Sequence, residues 1–215
     1  MSIFEQLANN KGTVSSALGK TLAQKVLNGQ TEILSECIDL SSYEASKPAS
    51  KQIRSGAAKV VELVAEKQPG LVAPHLEKLL PALSVKEPQT RWMIIRTMGF
   101  CAHLNRAVAQ KAIEYAETYI QDKKDGLCLA SSADLFLGDF GALSKKDAQR
   151  VFPILMQSIE NLVFNEQDWL LETLLKILPN LDKDEQVVIF KFAEHWQYSA
   201  RKSTQQRARE ILRSR

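Results

Sequence analysis

The stretch LLPALSVKEPQTRWMIIRTMGF (79–100) contains two apolar helical patterns separated by a short polar break. The first pattern has Pro81 inside it, while the second begins near Arg91 and has Gly99 close to its end. A proline inside a helix removes one hydrogen bond and bends the helix. The stretch therefore predicts a helical hairpin, two helices joined by a tight turn, with a proline inside the first helix.

The same hairpin pattern recurs along the chain, and no run of alternating apolar and polar residues is long enough to predict a strand. Second helices are predicted to begin at intervals of 37, 39, 39 and 36 residues, near Ile53, Thr90, Leu129, Asp168 and Thr204. Gly99 and Gly138 occupy matching places, and Pro153 interrupts another first helix as Pro81 does. A two-helix repeat of this length is typical of an all-α solenoid, in which each hairpin buries its apolar face against its neighbours.

The 79–100 pattern resembles the HEAT repeat, with a proline in the first helix, an arginine near the start of the second and a small residue late in it. The resemblance implies a right-handed α-solenoid of about five HEAT-like hairpins. It also implies that Pro81 and Pro153 bend their helices. Arg54 and Arg91 would lie at inter-repeat turns and bond to neighbouring backbone or acids. We expect a single domain over 1–215, with an irregular helical N-terminal cap (1–47), repeats (48–200) and a basic C-terminal helix (201–215).

Composition places the chain among ordinary globular proteins, with 45% hydrophobic and 25% charged residues in 215. No apolar run reaches the length of a membrane span, and the N-terminus lacks the pattern of a secretory signal. The three cysteines are unclustered, which favours free thiols in a reducing compartment. We therefore expect a cytoplasmic, or at least intracellular, protein with no membrane partner.

Sequence motifs for common chemistries are missing. The chain has no HExxH or CxxC for a metal, no phosphate-binding glycine loop and no GxSxG nucleophile elbow. We expect no metal and no cofactor, and a binding or scaffold protein rather than an enzyme.

Second helices would line the concave face of such a solenoid, so their polar and aromatic residues are candidate contacts. These candidates are Arg54, Arg91, Trp92, Arg96, Asp134, Asp168, Trp169 and Glu172. Their charges change sign along the array, which favours a polypeptide partner of mixed charge over a uniform polyphosphate. The alternative for Trp92 and Trp169 is that each fills a gap between stacked repeats.

The C-terminal segment 201–215 is strongly basic. It carries a net charge of +5, against −2 for the rest of the chain, from one glutamate and six cations: Arg201, Lys202, Arg207, Arg209, Arg213 and Arg215. Just before it, Trp196 and Tyr198 lie beside Arg201 and Lys202. Aromatic rings among cations suit a nucleic-acid or acidic-peptide surface. The alternative is a terminal cap with a solvated basic face, since cations also complement a helix C-terminus.

A weaker resemblance is to the HEAT-like alkylpurine DNA glycosylases. That family implies a pocket built from tryptophans, a carboxylate and an arginine, and Asp134 would be the carboxylate that stabilises positive charge on a sugar. The chain departs from the pattern with Ala130 in place of a tryptophan and Glu172 in place of an arginine. Asp134 is otherwise a solvated or ladder-forming carboxylate. A structural subunit, whose terminal repeat another chain covers, is the remaining alternative, and the oligomeric state stays open.

Overall fold

The computed structural model describes residues 1–10, 17–44, 50–122, 126–162 and 166–215, and these residues form helices and no strand. The chain divides into two compact units, unit 1 (Met1–Ala112) and unit 2 (Ile113–Arg215). The predicted boundary between cap and repeats at 47/48 lies outside the described residues, and the single domain stays a prediction. No helix in the described ranges is long and apolar enough to cross a membrane.

Unit 1 begins with three helices in the region where the sequence predicted an irregular helical cap. Its elements are α1 (Ile3–Asn9), α2 (Ala17–Leu27), α3 (Thr31–Leu40), α4 (Ser50–Lys67), α5 (Pro69–Val72), a 3₁₀ helix (Ala73–Ser84), α6 (Pro88–Cys101) and α7 (Arg106–Lys111).

Helix α4 is the centre of unit 1 and packs against α1, α2, α3 and α6. Its apolar residues Val60, Val61 and Val64 recur at helical spacing and are completely buried. Two hairpins result, α3–α4 and the 3₁₀ helix with α6. The HEAT resemblance implied a bent helix around Pro81, whereas the segment winds as a 3₁₀ helix with Pro74 near its start. Both prolines lack an amide donor, which weakens the α-helical ladder and favours the tighter winding.

Unit 2 contains three hairpins, α8–α9, α10–α11 and α12–α13. Its elements are α8 (Ile113–Gln121), α9 (Leu127–Gly141), α10 (Lys145–Glu160), α11 (Gln167–Ile177), a 3₁₀ turn (Leu178–Asn180), α12 (Lys183–Trp196) and α13 (Lys202–Arg213).

The second helices of unit 2 stack in the row α9–α11–α13. Gly138 explains one close approach in this row, since a Cβ there would lie 3.1 Å from the Cα of Thr173. The small residue late in the second helix therefore has a packing role. Two helix caps also form in this unit: the Ser144 hydroxyl accepts from the Asp147 amide, and Asp182 begins α12 with a capping box.

The predicted repeat register is confirmed. All five predicted starts fall inside α4, α6, α9, α11 and α13. Hydrogen bonds link residues about one repeat apart, as between Lys176 and Asp139, which are 37 residues apart, and between Arg207 and Glu172, which are 35 apart. Equivalent positions of neighbouring hairpins therefore face each other, as stacking requires.

Candidate binding surfaces

The outward side of α6 brings aromatic and cationic side chains together. Trp92, Arg96 and Phe100 follow one another at four-residue spacing and are all half-buried, so they lie on one face of the helix. The Arg96 guanidinium carbon lies 4.5 Å from the centre of the Phe100 ring, a cation–π contact.

Helix α4 supplies an ion pair beside this stripe. Lys59 Nζ lies 2.7 Å from Glu62 Oε2. Burial raises the pKa of Glu62 above its ordinary value, and the charges of Lys59 and Arg96 offset this only in part. The environment is thus partly desolvated. We call Lys59, Glu62, Trp92, Arg96 and Phe100 the α4–α6 surface.

The side chain of Arg54, a predicted contact residue, bonds to other residues of unit 1. Its Nη2 donates to Glu87 Oε2 at 2.7 Å, and its Nη1 donates to the Tyr43 carbonyl at 2.7 Å. Arg54 therefore bonds to a neighbouring backbone carbonyl and an acid, as the HEAT resemblance implied, from a position inside α4. The Glu87 side chain is only 5% exposed. Arg91 is half-buried in the first turn of α6.

The predicted charged residues of α11 and α13 pair with one another. Lys176 binds Asp139 of α9 at 2.7 Å and Glu172 at 3.6 Å. Arg207 then joins both acids of α11, since it lies 2.7 Å from Glu172 and 2.7 Å from Asp168.

Arg201 completes this chain of alternating charges at 3.6 Å from Asp168. We call the six residues the charge ladder: Asp139, Lys176, Glu172, Arg207, Asp168 and Arg201. Asp168 is buried, and the Thr204 hydroxyl also donates to it, at 3.4 Å. Burial lowers the pKa of Arg207, but its bonds to the two acids outweigh burial and raise that pKa above its ordinary value. Four predicted contact residues thus join neighbouring repeats, while Trp169 lies half-buried on α11.

Asp134 lies inside unit 2, between α9 and α10. It is 2% exposed, and the Ser158 hydroxyl donates to its Oδ1 at 2.7 Å. The carboxylate is therefore buried rather than solvated.

The two aromatic residues before α13 differ in their surroundings. Trp196 is half-buried, with its ring edge-on to Phe192 at 6.4 Å and to His195 at 5.0 Å. Tyr198, in contrast, is 79% exposed. Trp196 packs within α12, whereas the Tyr198 ring is available to a ligand.

The six cations of 201–215 divide into two equal groups. Arg201 and Arg207 belong to the charge ladder, and Arg215 lies 2.8 Å from Glu194. The other three are exposed and have no acidic partner among the residues that the structure describes. We call these three the basic stripe: Lys202, Arg209 and Arg213.

Some residues of the α4–α6 surface and of the charge ladder were not among the candidates predicted from the sequence. Phe100 could have been found from its four-residue spacing to Arg96, and Asp139 with Lys176 from their separation of one repeat. A groove of about 520 Å³ between α2 and α4 was not foreseen, because residues distant in sequence form it. In the part of the chain that the structure describes, no three histidine, cysteine or acidic side chains are placed to hold a metal ion.

Comparison with known proteins identifies the fold. No protein-family model matches the sequence, and no curated protein matches it. Among solved structures, an engineered protein (Northeast Structural Genomics Consortium target OR366) is similar with a TM-score of 0.69 and 14% identity, covering 99% of this chain and 98% of that one. The designed armadillo repeat protein YIII(Dq)4CqI is similar with a TM-score of 0.64 and 12% identity, covering 98% of both chains.

These similarities show an all-α solenoid fold built from helical repeats. At such low identity they show the fold alone. The named neighbour is an armadillo design, so the HEAT subtype inferred from Pro81 and Arg91 stays a prediction.

Proposed function

We propose that this helical-repeat protein is an interaction module that binds a polypeptide partner through the α4–α6 surface. The observation that carries the proposal is the grouping of Trp92, Arg96 and Phe100 on one outward face of α6. Tryptophan and arginine are the residue types that most often dominate binding energy at protein interfaces.

The charges of this surface also suit a polypeptide. Lys59 and Glu62 pair with each other, and Arg96 contributes one further cation beside two aromatic rings. A uniform polyanion would find one acid and only two cations here. A partner with an apolar side chain and a carboxylate would find a complement to each feature. No catalytic step is part of the proposal.

Base release at Asp134 gains no support from its surroundings. The carboxylate is buried and already accepts a hydrogen bond from Ser158. A glycosylase would need this group to face the sugar in an open pocket. The experiment that tests this alternative is base release from alkylated DNA by wild type and Asp134→Asn.

The test of the interaction proposal is a quantitative affinity purification with the full-length chain. Wild type is compared with Trp92→Ala, Arg96→Glu and the control His75→Ala, an exposed residue of the 3₁₀ helix. We expect a protein that wild type and the control retain and both α6 variants lose. With that protein purified, Trp92→Ala should raise Kd by about tenfold or more. Partners that both variants retain at wild-type levels, or no partner at all, would overturn the proposal.

A further inference from the structure

We propose that the outer face of α13 binds the sugar–phosphate backbone of a single-stranded nucleic acid. The proposal is based on the difference between paired and unpaired cations in the segment 201–215. Three of the six are neutralised by acids of unit 2, while Lys202, Arg209 and Arg213 remain exposed without an acidic partner in the described ranges.

The basic stripe has a geometry that one extended ligand can follow. Its members occupy positions i, i+7 and i+11 of a single helix, so their Cα atoms span about 16 Å along the axis. They belong to the opposite side of α13 from Thr204 and Ala208, which are buried. A strand lying along the helix would reach all three cations.

The composition of this face favours a polyanion over a protein interface. A shallow recess of about 340 Å³ is lined only by polar side chains: Lys202, Gln205, Gln206, Arg209, Glu210 and Arg213. A folded partner would gain little apolar burial there, whereas phosphates gain charge neutralisation and counterion release. The two glutamine amides add hydrogen-bond donors for phosphate and sugar oxygens. Glu210 is the single acid on this face and lowers its net charge to +2.

Tyr198 selects a nucleic acid among polyanions. Its side chain is 79% exposed and lies four residues before Lys202, where α13 begins. Aromatic rings stack with unpaired bases, and the stacking tolerates any sequence. An acidic polypeptide or inorganic polyphosphate offers no base to stack. A duplex keeps its bases paired, so the ring favours a single strand.

The test is fluorescence anisotropy of the full-length protein with a labelled oligothymidylate of about 12 nucleotides. Three phosphate contacts predict a slope of log K against log salt of about −2, which is about a 20-fold loss between about 50 and 200 mM salt. Lys202→Gln, Arg209→Gln and Arg213→Gln should each make that slope less steep by about 0.7. Tyr198→Ala should weaken binding by about tenfold and leave the slope unchanged.

Two controls separate the basic stripe from charge in general. Lys25→Gln removes one exposed cation of unit 1 and should leave both affinity and slope unchanged. Arg207→Gln removes a charge-ladder cation. It should lower the urea midpoint of unfolding and leave the slope of log K against log salt unchanged. Wild-type slopes in all three stripe variants, or no binding at low salt, would overturn the assignment. So would equal binding of a glutamate peptide of about 12 residues, or a preference for duplex DNA over the single strand.

Discussion

Removal of Arg54 should expose how much one buried ion pair contributes to unit 1. Arg54 is 11% exposed, and its partner Glu87 is 5% exposed. Loss of one partner leaves the other charge buried without compensation, which destabilises a protein by about 3 to 5 kcal/mol. We expect Arg54→Ala to lower the free energy of unfolding by about 3 kcal/mol. With a urea m-value of about 2 kcal/mol/M, the midpoint would fall by about 1.5 M.

The pH dependence of this loss tests its electrostatic cause. Burial alone would raise the pKa of Glu87, but hydrogen bonds from Arg54, from its own backbone amide and from Thr90, with the Arg54 charge, lower it below its ordinary value. In wild type this contribution to stability is complete above the unfolded pKa and is lost as pH falls through the lower folded pKa. Without Arg54, burial should raise the pKa of Glu87 instead. Protonation of Glu87 then removes the buried, unpaired charge in the variant. The difference in free energy of unfolding between wild type and Arg54→Ala should therefore shrink as the pH falls from about 7 to about 4.

A double variant supplies the control. Arg54→Met with Glu87→Met removes both charges and should recover about half of the lost stability. Recovery is partial because the Tyr43 carbonyl and the Thr90 hydroxyl also lose a partner. The assay is urea unfolding followed by circular dichroism and tryptophan fluorescence at several pH values. A loss below about 1 kcal/mol, a gap that does not change with pH, or a double variant no better than the single would refute the reasoning.

Three further predictions concern unit 2 and the thiols. Arg207→Gln removes the cation closest to both acids of α11 and leaves each with one partner at 3.6 Å, Lys176 for Glu172 and Arg201 for Asp168. It should lower the free energy of unfolding by about 2 kcal/mol in urea titrations, and less in high salt. Gly141→Ala places a Cβ 2.7 Å from a methyl group of Val151, so it should lower the melting temperature and reduce the free energy of unfolding by about 1 to 2 kcal/mol. The control Gly70→Ala places a Cβ with no described atom within 4 Å and should leave stability unchanged. A thiol reagent at about pH 8 should modify the exposed Cys128 in the native protein and all three cysteines in denaturant, because burial raises the pKa of the other two thiols to about 12. Rapid native reaction at three thiols would contradict this.

Much of the fold could be predicted from the sequence because its signals are local and periodic. The apolar stripe of α4, the caps of α10 and α12 and the repeat spacing each depend on residues a few positions apart, or on the same pattern one repeat later. The helix type around Pro81 was harder to predict from the sequence. Proline predicts a lost hydrogen bond, but whether the helix bends or tightens depends on its packing against α6.

The candidate surfaces were harder to predict, since a charged residue in a sequence carries no record of its partner. Asp168 and Glu172 were predicted as contact residues, yet both pair with Arg207 of the next hairpin. Lys202 and Arg209 are cations of the same basic segment as Arg207, but their side chains are exposed rather than paired with an acid of the described residues.

The sequence by itself determined that the chain is a stack of helical hairpins with a period of 36 to 39 residues, because apolar spacing, caps and breaks are written into each segment. Only the tertiary structure decided which cations are neutralised and which face the solvent. An ion pair forms where two side chains from different hairpins come within about 4 Å, and that distance depends on how neighbouring repeats stack.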